Sequence, residues 1–354
     1  MTLSSERISH HSSIDHLRFI FAVLVVFIHA YGHGVLPGDV LAGECVAMEV
    51  QQFFSHILSA IAVPGFFLIS GYLYFSKMQR WSWEQYVQKT RQRSITILMP
   101  FLVWNTLKLM TLLLPAWVHN GWEGVVSVFD TYGGWRIFWD GNPHYPAPVL
   151  LATWFLRDLM VFCLMAPLIH LLVRYASFLP FVLLMVCDLF EWWPVQQVCS
   201  AHHLAFFVFG ATCSIRGKAL FGVLSEYRMA SYLLGTLSLV VVTCFPCSEA
   251  MLFYLFFATL AVCNLVFQAQ SRIEHILPPR YTQASMFIYL GHSLLLLSGV
   301  AWMLNRLLPM SGEGWTLVRY FLIPPITIGI LLFLFSFLRN RFPHILYMLL
   351  GRKY

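Results

Sequence analysis

Residues 14–30 read IDHLRFIFAVLVVFIHA. Ten uncharged residues, all apolar, separate Arg18 from His29. A helix needs about 20 mostly apolar residues to cross a bilayer, and this run with its flanks supplies them. It carries no small-residue cleavage site and ends in His29 and His33, so it reads as a retained span and not as a signal peptide. The whole chain has the same character. Of its 354 residues, 59% are hydrophobic and only 11% charged, and the mean hydropathy is +0.71. A soluble domain carries roughly a quarter charged residues, so this composition cannot cover the surface of a soluble globule.

The expected fold class is therefore all-α, a polytopic bundle of transmembrane helices. The run-length criterion gives about ten spans, near residues 17–36, 53–75, 94–117, 149–173, 178–194, 202–215, 230–247, 250–268, 285–305 and 317–338. The fifth and sixth are short, a length that suits tilted, broken or re-entrant helices. Residues 118–148, rich in Gly, Trp and Pro, form the longest polar connection. No repeat or low-complexity tract stands out, and one membrane domain is expected over 1–354.

With the N-terminus in the cytoplasm and the spans alternating, all but five of the 22 Lys and Arg residues fall on the inner side or its boundary. Lys108, Arg136, Arg157, Arg306 and Arg319 are the five. The far side collects acids, among them Asp39, Glu44, Glu49, Asp130 and Asp140. That asymmetry predicts both termini in the cytoplasm and an even number of spans. The net charge of +6 then reflects topology, and no nucleic-acid partner is read from it. Cys244 and Cys247 form a C-x-x-C pair without the βαβ context of a redox motif. His29 and His33, four apart, share a helix face as two metal ligands would, yet spacing offers no third ligand, so no metal is expected.

Ionisable residues inside spans are costly and mark sites or pathways by default. Arg18 and His29 stand eleven positions apart, a rotation about 20° past three whole turns and a rise of roughly 16 Å. Both side chains should face the same way, a cation at one end and an imidazole in the interior. Taken alone, the pair reads equally well as a snorkelling Arg and a helix-packing His. Asp15 stands i,i+3 to Arg18 and suits either a guanidinium partner or a first-turn acid favoured by the helix dipole.

Five segments shift that balance: R-x10-H within residues 14–30, VPGFFLISGYLYF (63–75), YVQKTRQRSITILMPFLVWN (86–105), TWFLRDLMVFCLMAPLI (153–169) and SMFIYLGHSLLL (285–296). In this order they resemble the bacterial membrane-bound acyltransferase family 3, in its compact membrane-only form. The resemblance implies a multi-pass inner-membrane O-acyltransferase. It would move an acyl group, usually acetyl from acetyl-CoA, from the cytoplasmic side to a hydroxyl of an envelope polysaccharide or lipid-linked glycan, in association with the glycan-synthesis machinery. The lipid bilayer is its medium.

The residues accommodate this reading. Phosphates of an acyl-CoA would meet Arg18, Lys89, Arg91 and Arg93, and His29 would act as general base or as a transient acyl carrier, with Asp15 orienting Arg18. Ser70-Gly71 suits close helix approach, or a Ser70 contact to substrate. Trp154, Arg157, Asp158 and His292 are candidates on the acceptor side or structural residues. Adjacent residues project in different directions, so Arg157 and Asp158 are expected to find partners on neighbouring segments and not each other. Trp117, Trp122, Trp135, Trp139, Trp192 and Trp193 read mainly as interface-belt residues. Two other readings stand beside the enzyme: a transporter or flippase of an envelope glycolipid, against which the lack of repeats counts, and a non-catalytic partner of a synthesis complex.

Overall fold

The computed structural model describes residues 3–33, 46–76, 78, 80–195, 198–309 and 312–353, with side chains from residue 12 onward. Asp39, Glu44 and Lys77, used in the charge count above, lie outside the described residues, as does the Arg7 side chain. Lipid offers no hydrogen bonds, so each apolar run must satisfy its own backbone, and helices do this within one segment. Among the described residues the chain is helical, with no strand.

The helices are α1 (Leu3–Ala30), α2 (Val46–Phe75), α3 (Trp83–Thr131), α4 (Leu151–Leu164), α5 (Ala166–Ala176), α6 (Leu179–Leu189), α7 (Ala201–Ile215), α8 (Leu220–Glu226), α9 (Arg228–Cys244), α10 (Ser248–Gln268), α11 (Gln270–Ile276), α12 (Pro279–Leu307), α13 (Glu313–Arg341) and α14 (Pro343–Leu350). Six of them are long and apolar enough to cross a membrane: α1, α2, α3, α10, α12 and α13. The number rises to eight when the bent pairs α4–α5 (63°) and α7–α8 (102°) each count as one span. A total of ten requires the shorter apolar helices α6 and α9 to cross as well. Leu233, Leu237 and Val240 leave an exposed apolar stripe on α9, a surface suited to lipid.

Two segments differ from the sequence reading. Helix α1 ends at Ala30, so His33 sits beyond it in a turn and not one turn along the same helix face. The stretch from 118 is helical as far as Thr131, across a break at Gly121 (φ 57°) in α3. Gly121 ends one helical segment and allows another to start at a new angle, which a count of polar residues does not reveal.

Helices α2 and α7 cross with their backbones in close approach. A Cβ on Gly71 would lie 2.0 Å from the carbonyl oxygen of Phe207, and one on Gly210 would lie 2.0 Å from that of Leu68. Each glycine thus receives the backbone of the other helix, the small-residue packing that membrane helices use. Because the obstacle is backbone, Gly71→Ala is expected to cost at least the ~1–3 kcal/mol of ordinary overpacking. An unchanged thermal midpoint of the purified variant in detergent would contradict this.

Among the described residues, three helices carry a π-helical turn: Phe53–Ile57 in α2, Ser94–Leu98 in α3 and His292–Leu296 in α12. Such turns insert one residue into an α-helix and recur at functional sites. The first of them packs against α1, and the third opens with His292, whose ring meets His29 of α1.

Candidate active site

Helix α1 packs against α2, α10, α12 and α13; its Arg18 shares a pocket with Ser285 and Tyr289 of α12, and its His29 ring meets His292 of the same helix. At the Arg18 end, Asp15 Oδ1 accepts a 3.5 Å ion pair from the guanidinium, with both side chains part-exposed. Here a pocket of about 230 Å³ is lined by Asp15 and Arg18 of α1, Phe66 and Ser70 of α2, Arg93 and Thr96 of α3, Phe155 of α4, Ser285 and Tyr289 of α12, and Arg352 beyond α14. Three arginines from remote parts of the chain meet at one cavity. A neighbouring cleft of about 500 Å³ shares Arg93 and Thr96 and adds Lys89 and Gly351. Lys89 donates to the Tyr74 carbonyl and its ammonium stands 5.2 Å from the Tyr74 ring centre. Arg91 is exposed and is not among the residues lining either cavity.

A triangle of rings forms the inner end of the pocket. Phe66 and Phe155 stand 5.6 Å apart, and each is 5.7 Å from Tyr289. Tyr289 is fixed by its hydroxyl, which donates to the Ala152 carbonyl. Past this triangle lies His292, its ring centre 6.3 Å from Tyr289 and 5.0 Å from His29. His292 is fully buried and opens the π-turn of α12. Its Nδ1 donates to the Ile288 carbonyl at 3.2 Å, whereas its Nε2 is buried without a hydrogen-bond partner. With the proton held on Nδ1, Nε2 keeps its lone pair. Near His29, Ser55 of the α2 π-turn donates to the Phe27 carbonyl at 2.6 Å and meets Tyr320 Oη at 2.8 Å. His33 instead reaches Ser298 Oγ at 3.4 Å.

A wider cleft of about 960 Å³ opens past the His29 end of α1, where Tyr31, Glu49, Gln52, Phe53, Thr243 and Ser248 are among its walls. The site thus has a cationic pocket at one end of α1, two contacting imidazoles toward the other, and a polar-aromatic cleft beyond. Among the described residues, no three His, Cys, Asp or Glu side chains come together as metal ligands would.

Arg157 and Asp158 correct the expectation drawn from their adjacency. Arg157 Nε donates to Asp158 Oδ1 at 2.9 Å, and the pair is sealed, with 1% and 3% of their side-chain surfaces exposed. The i,i+1 rule describes Cβ directions, but the long Arg stem curls back far enough for its head group to reach its neighbour. Arg157 also donates to the Trp139 and Pro146 carbonyls at 2.7 and 3.0 Å, and Asp158 Oδ2 accepts from the Cys199 amide at 3.2 Å. The pair therefore ties the 132–150 and 190–200 connections to the start of α4. Trp139, with its ring centre 5.6 Å from the guanidinium, belongs to this anchor. So does Trp193, whose Nε1 donates to the Cys199 carbonyl at 2.8 Å. Trp154 packs against His203, with ring centres 5.0 Å apart, and is not among the pocket-lining residues.

The structure thus gathers Asp15, Arg18, Ser70 and Arg93 at one cavity and His29 with His292 at the next level. It leaves Arg91 outside and Lys89 in the adjoining cleft. Sequence reasoning missed Phe66, Phe155, Tyr289 and Arg352. Tyr289 lies three residues before His292 in the quoted 285–296 segment, so the signal was present, whereas Arg352 stands in no motif.

Helices of this length around buried arginine and histidine define a multi-pass membrane protein with an internal polar site. Its class follows from comparison: the family model for the acyltransferase domain of family 3 matches residues 11–338, nearly the whole chain. The chain belongs to acyltransferase family 3 and is a membrane acyltransferase. No curated protein and no solved structure matches it.

Proposed function

We propose that this protein is an O-acyltransferase that takes an acyl group, in the first instance acetyl, from coenzyme A on the cytoplasmic side and esterifies a hydroxyl of a cell-envelope glycan. The observation that carries the reading is the shared pocket of Arg18, Ser70 and Arg93, divided by one layer of rings from the His29–His292 pair. A polyanionic carrier suits the arginines, and its uncharged pantetheine arm suits the Phe66–Phe155–Tyr289 triangle. The Lys and Arg asymmetry supports placing the Arg18 end in the cytoplasm. The acceptor then approaches through the cleft beside Tyr31 and Gln52, whose aromatic and amide groups suit a sugar.

In this reaction His29 takes the proton of the acceptor hydroxyl while that oxygen attacks the thioester carbonyl. The C–S bond breaks, and the proton passes to the departing thiolate. His292, its ring centre 5.0 Å from that of His29, steadies the imidazolium that forms through the lone pair on Nε2. Asp15 holds Arg18 by the 3.5 Å ion pair, and Lys89 and Arg93 extend the cationic surface toward the adjoining cleft.

Arg18→Ala removes a charge-assisted phosphate contact and is expected to weaken coenzyme A binding by roughly 1.5–3 kcal/mol. Arg18→Lys should recover only part, because a point charge replaces a planar fork. Binding measured on the protein in lipid nanodiscs decides the matter. Unchanged affinity in Arg18→Ala would remove the donor role from this pocket.

A further inference from the structure

The tail after α14 lies outside the stretch matched by the family model, which ends at residue 338, yet it forms part of the pocket wall. Its placement is built from several ties. Trp104 Nε1 donates to the Leu349 carbonyl at 2.9 Å. Gly351 then takes φ +67°, and a Cβ there would lie 2.1 Å from the Ile95 carbonyl oxygen. Only a glycine lets the tail press onto the Ser94–Leu98 π-turn, immediately beside Arg93. The chain next delivers Arg352 to the rim, where its guanidinium donates to the Gln283 carbonyl at 3.1 Å. Arg339 of α13 holds the Gln283 side chain at 3.3 Å. Leu350 and Arg352 line the pocket, and Gly351 lines the adjoining cleft.

We propose that Arg352 is a third phosphate-binding residue of the donor pocket and reads the outermost phosphate of the carrier, the 3′-phosphate of coenzyme A. The inference rests on the donor reading of this pocket. Arg352 is exposed and stands at the mouth, whereas Arg18 is only one-third exposed. In a coenzyme A thioester the acyl end must point inward, toward the imidazoles, which leaves the phosphoadenosine end at the mouth. An arginine fork matches a terminal phosphate bidentately.

The test uses the full chain in lipid nanodiscs and three probes: coenzyme A, dephospho-coenzyme A, which lacks the 3′-phosphate, and pantetheine, which lacks the whole 3′-phosphoadenosine diphosphate portion. Wild type should bind coenzyme A more tightly than the dephospho form by about tenfold or more, the worth of one charge-assisted contact. Arg352→Ala should erase that difference by weakening coenzyme A alone, and Arg352→Lys should restore part of it. Pantetheine binding should not change, showing that the pocket is intact. Equal loss for all three probes would make the tail a structural strap, and no loss for coenzyme A would remove its contact; either result overturns the proposal. The donor reading fails separately, and takes this proposal with it, if wild type binds coenzyme A no better than pantetheine.

Discussion

His29→Ala is expected to lower acyl transfer by about 10²–10⁴-fold, the range that a general base supplies, while the protein remains folded, inserted and able to bind coenzyme A. One imidazole in an apolar helix contributes little to stability. The neighbouring histidines do not replace it. His33 has left the helix and points to Ser298, and His292 is fully buried behind His29 with its Nδ1 committed to the Ile288 carbonyl. The rate is read from thioester consumption in the presence of acceptor, and integrity from the amount of variant in the membrane fraction and its affinity for coenzyme A. A well-expressed His29→Ala variant with normal transfer would remove the catalytic assignment and favour transport of a glycolipid instead.

Asp158→Asn is expected to destabilise the protein by about 3–5 kcal/mol, the cost of breaking a buried ion pair from one side. The guanidinium of Arg157 would stay sealed while losing its counter-charge, and the amide of Cys199 would lose a charged acceptor. The damage should appear first in the 132–150 and 190–200 connections, which the pair holds to α4. Limited proteolysis of that face and the thermal midpoint in detergent report on it. Replacing both residues with leucine should cost less than Asp158→Asn, because no lone charge remains. A different result, normal stability with impaired transfer, would move the pair from the anchor to the acceptor site. Asp140, near the same connection, is held by hydrogen bonds from Arg136 at 2.8 and 2.9 Å, which lower its carboxyl pKa below the ordinary carboxylate value.

The long helices were legible because a membrane span writes its own length into the chain: α1, α10 and α13 follow directly from uninterrupted apolar runs. The common face of Arg18 and His29 was legible for a similar reason, since eleven residues bring a helix nearly back to the same angle. Other features depend on partners distant in the chain. The π-turns shift register by one residue and leave no compositional trace. The reach of a long side chain, and not its Cβ direction, joins Arg157 to Asp158. Trp104 and Asn105, adjacent in a quoted segment, turn out to be ties: Trp104 holds the tail through Leu349, and Asn105 holds the start of α4 through the Leu150 amide at 3.1 Å and Thr153 at 2.9 Å. Arg352 reaches the pocket only because α14 folds back against α3, and nothing in its local sequence announces this.

The content of base-labile, ester-linked acyl groups on the envelope glycans of cells with and without this gene reads the proposed transfer itself. With acyl transfer that depends on His29, deletion removes a defined set of esters, the wild-type gene restores them, and His29→Ala present in the membrane at the same level does not. Ester content unchanged by deletion, or fully restored by His29→Ala, would contradict it.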